Sequence, residues 1–478
     1  MPLPPPPPRP DAVIVGAGIA GLSCATLLAE AGLRVVVLEA SAVPGGRARS
    51  WVDPGTSDVV DIGPHILLNK YGNMRAWLAR LGTEHQIRWQ TEELLTVLDK
   101  GRRIHFKVHG LPAPLHYVRN LPRVLPSVPL HRLLSNVRVA WRTMRSTPAE
   151  IRALDNQSGR NYLQAQGVSG AFIDWFWASA SMAFLNLPVE ACSAAALMRI
   201  FGHMLGHSDP AFGFPKVGLS DLYAWPAIRH VESRGGQVRF DCAAAGLRRR
   251  DGAVAGVVLA DGTHIDAPVV LAVPPDALSG LLPASHPLAR VASRFEPSPY
   301  VSCYLWFDRK ITRSRFWARP WSPREFNTDF YDLSNVREGA RPGSLIATNI
   351  IWSHRANGLS DEAIVEATLK EIADFAPQAR EARLLSAAVH RIPMSVPCSR
   401  PGIESLRPPT RMEPGLFLAG DWIDTDLPFC MESATRAGAL AAEAILADVG
   451  RPRSLALPVP EPQGLAGLLR RRTPAAGR

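Results

Sequence analysis

Three glycines and one carboxylate near the N-terminus have the types and spacing of a dinucleotide-binding site. Gly16, Gly18 and Gly21 form a Gly-x-Gly-x-x-Gly pattern, and Glu39 follows downstream. In such a site the first glycine makes a tight turn, the second lets the backbone approach a pyrophosphate, and the third lets a helix pack closely on a strand. The carboxylate accepts hydrogen bonds from ribose hydroxyls. The glycine pattern alone is common, so the prediction depends on the elements around it.

The surrounding sequence predicts the elements that this chemistry requires. A buried strand over residues 12–15 precedes the glycines, a helix follows them to about Ala31, and a second strand over 35–38 ends at Glu39. The N-terminus of the helix offers free N–H groups and a partial positive charge to phosphates. Further contacts with the dinucleotide are expected at Ile19, Ala20 and Ala40.

A second motif, Gly45-Gly46-Arg47, follows the second strand directly. It is similar to the Gly-Gly-Arg element of flavoproteins that hold FAD in an extended pose. The glycines let the chain turn under the cofactor, and Arg47 can neutralise pyrophosphate charge. Further along, a strand through Val238 is expected to face the adenine with its backbone. Residues 253–273 predict a hairpin and a buried strand that complete the same half of the site.

The segment LAGDWIDTDLPFCMESATRAG, residues 418–438, predicts the far wall of this site. A strand leads to Gly420, which makes room for the cofactor, and Asp421 is placed to accept from a ribityl hydroxyl. A helix of small residues then begins, and its dipole would favour an anionic reduced flavin at the N1–C2=O edge. The residues expected at the cofactor on this helix are Met431, Glu432 and Ala434. Glu432 either hydrogen-bonds nearby or simply suits the first helical turn.

The composition bounds the class of protein. The chain has 478 residues, of which 46% are hydrophobic, enough to bury several lobes. Six scattered cysteines without a Cys-x-x-Cys pair argue against a disulfide framework or a zinc site and favour a reducing cytoplasm. No metal site is predicted. Residues 1–10 are Pro-rich without the apolar region of a signal peptide and are expected to be a disordered leader, and 451–478 a flexible tail.

The positive charge is concentrated in residues 100–149. No acidic residue occurs there, whereas ten lysines and arginines are interleaved with leucines, valines and Trp141. Such a stretch suits the surface of an anionic membrane, with arginine at the headgroups and apolar side chains at the acyl boundary. An ordinary solvated face of a helical lobe is the alternative. Nucleic-acid binding is not expected, because no recognition motif accompanies the charge.

Several longer segments carry a resemblance to a known family. They are DIGPHILLNKYGNMRAWLARLG (61–82), YLWFDRKI (304–311), LSDEAIVEATLKEIADFAP (359–377) and GDWIDTDLP (420–428). Over roughly residues 11–450 the chain resembles the amine-oxidase-like flavoproteins, and most closely their carotenoid and squalene branch. The first three segments are similar to phytoene desaturases, and the fourth is nearer to hydroxysqualene dehydroxylases. Pro64 and Asn69-Lys70 depart from the usual pattern, in a region that would adjoin substrate or flavin.

The resemblance implies an α/β fold with a Rossmann-like FAD-binding domain of the GR2, or amine-oxidase, type and an interleaved α+β substrate domain. The FAD-binding domain is expected to comprise 11–95, 205–285 and 410–450, and the substrate domain, which would face the membrane, 96–204 and 286–409. Gly63, Pro64 and His65 are placed near the isoalloxazine ring. The aromatic segment 170–184 either forms core or lines part of a substrate tunnel.

The implied activity is FAD-dependent desaturation of a long apolar isoprenoid similar to phytoene, with hydride transfer to flavin N5. One alternative is a hydroxysqualene dehydroxylase giving squalene, which needs an acid at the leaving hydroxyl. His65 is the candidate catalytic residue for it, and a structural histidine is the other interpretation. A second alternative is an FAD-dependent amine oxidase. Many of these keep a lysine near N5, and only Lys216 and Lys310 are even loosely placed for that role.

The expected partners follow from these interpretations. They are a hydrophobic small molecule and, through 100–149, an anionic membrane; the oligomeric state is not predicted. The expected location is the cytoplasm, with a peripheral position on the inner face of the cell membrane as the alternative.

Overall fold

The computed structural model describes residues 9–107, 110–339 and 342–471. Most of the expected leader therefore lies outside the described residues, as do residues 472–478. Two large sheets organise the described chain, and smaller sheets and a helical lobe pack around them.

The first large sheet has six strands and carries the dinucleotide fingerprint. In sheet order they are β10 (Gln237–Arg239), β2 (Val35–Leu38), β1 (Ala12–Val15), β14 (Val269–Leu271), β21 (Leu416–Leu418) and β20 (Arg411–Glu413). All neighbours are parallel except β20 and β21. The central strands are short runs of valine, isoleucine and leucine, as expected for parallel strands buried on both faces. Three distant parts of the chain thus meet in one sheet.

The helices of the described chain range from single turns to five turns. They are α1 (Ile19–Glu30), α2 (Gly72–Arg80), α3 (Leu121–Val124), α4 (Leu130–Leu134), α5 (Val137–Arg145), α6 (Pro148–Arg152), α7 (Gly159–Ala165), α8 (Gly170–Phe172), α9 (Ala178–Leu185), α10 (Ala194–Gly206), α11 (Trp225–Glu232), α12 (Pro287–Ala292), α13 (Asp361–Phe375), α14 (Met431–Asp448) and α15 (Gly464–Leu469). Helices α1 and α14 pack closely, because Gly438 lets the two backbones approach. A Cβ at Gly438 would lie 2.4 Å from the Ala20 carbonyl oxygen.

The second large sheet has seven strands. In sheet order they are β19 (Leu384–Pro397), β15 (Pro297–Phe307), β18 (Leu345–Ile351), β17 (Asp329–Asp332), β16 (Phe316–Ala318), β7 (Glu93–Asp99) and β8 (Arg102–Lys107). The side chains of β15 alternate between its two faces. Cys303, Leu305 and Phe307 belong to the core shared with α13, whereas Tyr304 and Trp306 belong to a core shared with Val60. The second of these faces is called the inner face below.

Three smaller sheets complete the strands. They are β3 (Ser50–Val52) with β4 (Val59–Asp61), β5 (Leu67–Leu68) with β9 (Phe212–Pro215) and β6 (Ile87–Gln90), and β11 (Ala244–Arg250) with β12 (Ala253–Leu259) and β13 (His264–Asp266). The last includes the predicted hairpin, which turns at Asp261-Gly262.

The helical lobe buries most of the aromatic segment. Phe172, Trp177 and Met182 are at most 5% exposed, and the first two belong to a core with Phe201 of α10. For these side chains the structure favours core over a tunnel lining. Trp175 is different: its indole N–H donates to Asp99 (3.1 Å), and it lines a polar surface cleft of about 790 Å³.

Residues 451–471 are packed, and the prediction of a flexible tail is wrong for them. The Glu443 carboxylate accepts from two successive backbone N–H groups at 2.6 and 2.8 Å. The Asn73 side chain donates to and accepts from the backbone of Leu457 (3.1 and 2.8 Å). Farther on, α15 packs against α5 and α10. The Pro- and Arg-rich composition indicated a loose segment because it does not reveal which distant side chains satisfy the backbone.

Candidate active site

The three fingerprint glycines fall into two kinds. Gly16 has a φ of +107°, and a Cβ there would lie 2.7 Å from the Ala272 carbonyl oxygen. A Cβ on Gly21 would lie 1.9 Å from the Gly16 carbonyl oxygen. At Gly18, in contrast, a Cβ would meet no protein atom within 4 Å. The first and third glycines therefore serve the packing of β1 on α1, and Gly18 keeps open a space that a phosphate can enter.

The N-terminus of α1 is built to bind an anion. Its cap is Gly18, which provides no side chain to satisfy the first N–H groups, and no acidic residue lies in the first turn. Ile19 and Ala20 are in that turn. Free N–H groups and the helix dipole together favour a phosphate here.

Glu39 lies at the end of β2 and faces the same opening. One carboxylate oxygen accepts from the Ala17 N–H (2.9 Å), and the other accepts from the backbone N–H and hydroxyl of Ser41 (3.0 and 2.9 Å). A carboxylate has about four acceptor sites, so the three bonds orient it and leave capacity for a ribose hydroxyl. Ala40 follows it at the surface.

The Gly-Gly-Arg motif closes over the fingerprint. Gly45 and Gly46 have φ values of +109° and +57°, and a Cβ on Gly46 would lie 3.6 Å from Gly18 Cα. The motif thus adjoins the phosphate space. The Arg47 guanidinium lies 2.6 Å from Oδ1 of Asp421 and donates to the Ser395 carbonyl, so the motif is joined to the far wall of the site. This ion pair uses one Asp421 oxygen, and the predicted contacts of Arg47 with a pyrophosphate and of Asp421 with a ribityl hydroxyl stay predictions.

A buried arginine shapes the loop between Gly420 and α14. Arg407 donates to the backbone carbonyls of Asp421, Ile423 and Leu427 at 2.5–2.9 Å. Its charge is balanced by Glu404, which also pairs with Arg199 of α10. One guanidinium therefore fixes the whole loop that leads into α14, and Glu404 links that loop to the helical lobe.

The N-terminus of α14 points into the site without a side-chain cap. Met431 and Ala434 are in its first turns, after the cap residue Cys430. Glu432 was grouped with the cofactor-binding residues, but its carboxylate is engaged elsewhere. It accepts from the backbone N–H groups of Asn73 and Met74 and from the Asn73 amide, at 2.8–2.9 Å. The side chain therefore joins α14 to α2 and positions the helix.

Val238 lies in β10, which is an edge strand of the six-stranded sheet. It pairs with Val37 on one side only. The opposite backbone edge is not paired with another strand, and the contact with an adenine stays a prediction.

Gly63, Pro64 and His65 lie against the inner face of the seven-stranded sheet. The Ser302 hydroxyl donates to the Ile62 carbonyl (2.6 Å), and a Cβ on Gly63 would lie 3.3 Å from a ring carbon of Tyr300. His65 Nδ1 is 2.7 Å from the Gly63 carbonyl oxygen. A carbonyl only accepts, so Nδ1 carries the proton and neutral His65 has its lone pair on Nε2. Burial lowers the pKa of His65. The hydrogen bond to the Gly63 carbonyl and the charge of Asp61 oppose this shift but are smaller.

A polar cluster on the inner face was not found from the sequence. Asp329 accepts from the Tyr331 hydroxyl (2.5 Å), the Asn349 amide (2.9 Å) and the Thr328 hydroxyl (3.1 Å). The signal was present: Asp329 and Tyr331 stand two positions apart in one strand, with Phe330 between them, and Asn349 interrupts another apolar strand. Alternation places such residues on one face, but only the sheet order brings the two strands together.

Taken together, the residues fit FAD, and the protein binds this cofactor. The opening at Gly18, the carboxylate of Glu39, the free edge of β10 and the uncapped α14 N-terminus match the pyrophosphate, the adenosine ribose, the adenine and the flavin, respectively. Both candidate lysines bind residues outside the Gly63–His65 segment. Lys216 pairs with Glu338, and Lys310 donates to Ser334 and Asn335. Among the residues that the structure describes, no group of acidic, histidine or cysteine side chains could hold a metal ion.

Comparison with known proteins gives the same cofactor class. The family model of flavin-containing amine oxidoreductases matches residues 19–446. The chain is 28% identical to the 15-cis-phytoene desaturase of Solanum lycopersicum, over 92% of this chain and 79% of that protein. It is 27% identical to the 15-cis-phytoene desaturase of Synechococcus elongatus, over 91% of this chain and 95% of that protein.

Among solved structures, a putrescine oxidase with bound putrescine superposes with a TM-score of 0.68 and 18% identity, over 92% of this chain and 99% of that chain. At this identity the likeness is one of fold.

Proposed function

Because the chain belongs to the family of flavin-containing amine oxidoreductases and is an FAD-dependent oxidoreductase, we propose that it desaturates a long apolar isoprenoid of the phytoene type. The relatives named as phytoene desaturases match along almost the whole chain, whereas the likeness to a putrescine oxidase is one of fold. The observation that carries the proposal is the inner face. The side chains nearest Gly63 are those of Tyr300, Ser302 and Asn349, which carry no charge, and aromatic and aliphatic side chains adjoin them on the inner face, which suits a hydrocarbon.

In the proposed reaction the cofactor supplies the oxidant, and the chain binds the cofactor and the substrate. When bound, FAD supplies the oxidant, because its N5 position accepts a hydride from a substrate carbon. The backbone at Gly18 and Gly46 would hold the pyrophosphate, Glu39 the ribose, and the α14 N-terminus the flavin edge. The Gly63–His65 segment and the inner face hold the hydrocarbon and exclude water. We keep residues 11–95, 205–285 and 410–450 as the FAD-binding domain and 96–204 and 286–409 as the substrate domain.

The two alternatives meet specific difficulties. A hydroxysqualene dehydroxylase needs an acid, and His65 is a poor one because burial lowers its pKa and its protonated nitrogen is bound to Gly63. An amine oxidase with a lysine near N5 is not supported either, since both candidate lysines bind elsewhere in the described chain. GDWIDTDLP remains the feature that favours the dehydroxylase.

We also propose that the enzyme takes its substrate at an anionic membrane surface. A docking face between residues 115 and 145 exposes large apolar side chains beside arginines. The apolar ones are Leu115, Val118, Leu125, Leu130, Leu134, Val137 and Trp141. The exposed arginines are Arg119, Arg132, Arg138, Arg142 and Arg145. A solvated face would not concentrate so many exposed apolar side chains, whereas an amphipathic face lying in a bilayer interface requires them.

The packed C-terminal segment extends this docking face. Helix α15 packs on α5 and exposes Leu465 (41%) and Leu468 (85%). Arg471 follows it and pairs with Glu150 (3.2 Å). No helix in the described ranges is long and apolar enough to cross a bilayer. We therefore propose a peripheral contact made by α3–α5 and α15 together.

Product analysis tests the proposed function. Purified enzyme is incubated with phytoene and, separately, with hydroxysqualene and putrescine, in liposomes of anionic lipid where needed. We expect products with additional double bonds from phytoene. Squalene from hydroxysqualene, or an aldehyde from putrescine, with phytoene unchanged would replace the proposed function by the corresponding alternative.

A further inference from the structure

The Asp329 cluster is a group of polar side chains on the inner face that the proposed binding roles leave without a task. Asp329, Tyr331 and Asn349 are joined by the hydrogen bonds given above, at 2.5 and 2.9 Å. In sheet register, Asp329 stands opposite Asn349, and Asn349 stands opposite Ser302. Ser302 binds the chain next to Gly63. The cluster thus lies on β17 and β18, next to the strand β15 that binds the segment assigned to the flavin ring.

The cluster lies against that segment, and Asp329 within it is only partly buried. A Cβ on Gly63 would lie 3.8 Å from Oδ1 of Asn349, and this buried oxygen has no hydrogen-bond partner among the described residues. Tyr300, Asp329 and His65 are each half-buried, so part of each side chain stays accessible beside this segment. The polar cluster therefore has access to the space beside Gly63 and His65.

Polar groups in a cavity for a hydrocarbon need a reason, because removing them from water costs free energy. In a desaturation one event is polar: a proton must leave the carbon next to the one that loses the hydride. We propose that Asp329 accepts this proton, with Tyr331 and Asn349 orienting its carboxylate. This inference rests on the proposed function. The hydride leaves with its electron pair to oxidised FAD, the second C–H bond breaks to form the C=C bond from its electron pair, and the proton ends on Asp329.

The surroundings shift the pKa values of Asp329 and His65 in opposite directions. Burial raises the pKa of the Asp329 carboxyl, although the hydrogen bonds from Tyr331, Asn349 and Thr328 oppose the rise. Burial lowers the pKa of His65, which weakens it as a base. The other titratable groups that face this space are Tyr300 and Tyr304 of β15, His390 of β19, and Asp61 with its partner Arg337. Burial raises the pKa of both tyrosines of β15, so they stay neutral.

The test compares Asp329→Asn with a matched variant on the same strand. Asp332 is also a buried aspartate of β17, but it accepts from Ser334 and Ser344 rather than from the cluster. For each protein, phytoene turnover is measured from about pH 5 to 9, and the thermal midpoint of the FAD-free protein over the same range. The wild type should lose activity as the pH falls through the pKa of Asp329, because a protonated carboxyl cannot accept.

Asp329→Asn should reduce turnover by about 10²–10⁴-fold, the usual contribution of general base catalysis, and abolish the acidic limb. Asp332→Asn and His65→Gln should keep that limb. The FAD-free readout is independent of activity. A raised carboxyl pKa makes the folded protein less stable as the pH rises. The thermal midpoint of Asp329→Asn, measured relative to that of the wild type, should therefore increase as the pH is raised.

Each other result has a defined meaning. Retention of the acidic limb by Asp329→Asn, or turnover within about threefold of wild type, would overturn the proton-acceptor role and leave the proposed function intact. If the wild type instead loses activity as the pH rises, and Asp329→Asn abolishes this pH dependence, Asp329 would act as an acid. That result would favour the dehydroxylase. A wild type without phytoene turnover would overturn the proposed function and this inference with it.

Discussion

The guanidinium of Arg47 lies 2.6 Å from the Oδ1 oxygen of Asp421, so the first and last walls of the cofactor site meet in one ion pair. The two residues are 374 positions apart in the chain. Arg47 is partly exposed, whereas Asp421 is buried. The pair therefore holds the Gly-Gly-Arg motif against the loop that Arg407 fixes.

Breaking this pair from one side should destabilise the site more than removing both partners. Arg47→Met leaves the buried Asp421 charge without its partner, and we expect a loss of about 3 kcal/mol, the lower end for buried pairs, because Arg47 is partly exposed. FAD content after purification should fall with it. The Arg47→Met/Asp421→Asn double variant should recover part of the loss. Thermal unfolding monitored by flavin fluorescence measures both, and additive losses would show that the pair does not couple the walls.

The three fingerprint glycines should fail in different ways when changed to alanine. Gly21→Ala places a Cβ 1.9 Å from the Gly16 carbonyl oxygen, so the fold itself should be destabilised. Gly18→Ala meets no protein atom within 4 Å, so the protein should fold normally but bind FAD weakly, because the methyl group enters the phosphate space. Circular dichroism and FAD titration separate the two effects. Normal FAD affinity in folded Gly18→Ala would contradict the assignment of that space.

Glu404 should make the free energy of unfolding depend on pH in the acidic range. Burial alone would raise its pKa, but Arg407 and Arg199 lower it below the ordinary value of 4.5. A lowered carboxyl pKa gives stability that is present above the ordinary pKa and is lost as the pH falls through the folded value. Glu404→Gln should therefore unfold at a lower temperature than wild type at pH 7, and the difference should shrink below about pH 4. Glu366, whose pair with Lys370 is exposed, provides the control, since its change to Gln should have little effect.

Substitutions on α15, as well as on α5, should weaken the binding of the docking face to membranes. Leu468→Asp removes a leucine from the expected interface, and we expect about tenfold weaker binding to anionic liposomes, since burying such a side chain contributes about 1.5–3 kcal/mol. Trp141→Ala should act similarly. Leu385 on β19 is also exposed but lies outside the docking face, so Leu385→Asp should not affect flotation. Equal flotation of all variants would refute the docking face, and an effect of Trp141 alone would exclude α15 from it.

The sequence was most informative where local chemistry decides the structure. Gly16, Gly21 and Glu39 are recognisable because one turn and one helix dictate their positions. Arg47 and Asp421 were each assigned a separate partner on the cofactor, since nothing local reveals that two distant loops bring them together. The same limit applies to Glu432, which binds Asn73, and to residues 451–471, whose backbone is satisfied by Glu443 and Asn73. Asp329 and Asn349 lie on strands that are neighbours only in the folded sheet.

An anaerobic titration tests the central claim most directly. The enzyme with bound FAD is mixed with phytoene in anionic liposomes without an external electron acceptor, and flavin absorbance and products are measured together. The account predicts bleaching of the flavin with about one new double bond formed per FAD reduced, in keeping with a two-electron hydride transfer. A flavin that stays oxidised with phytoene but is bleached by putrescine, or protein that binds no FAD at all, would contradict it.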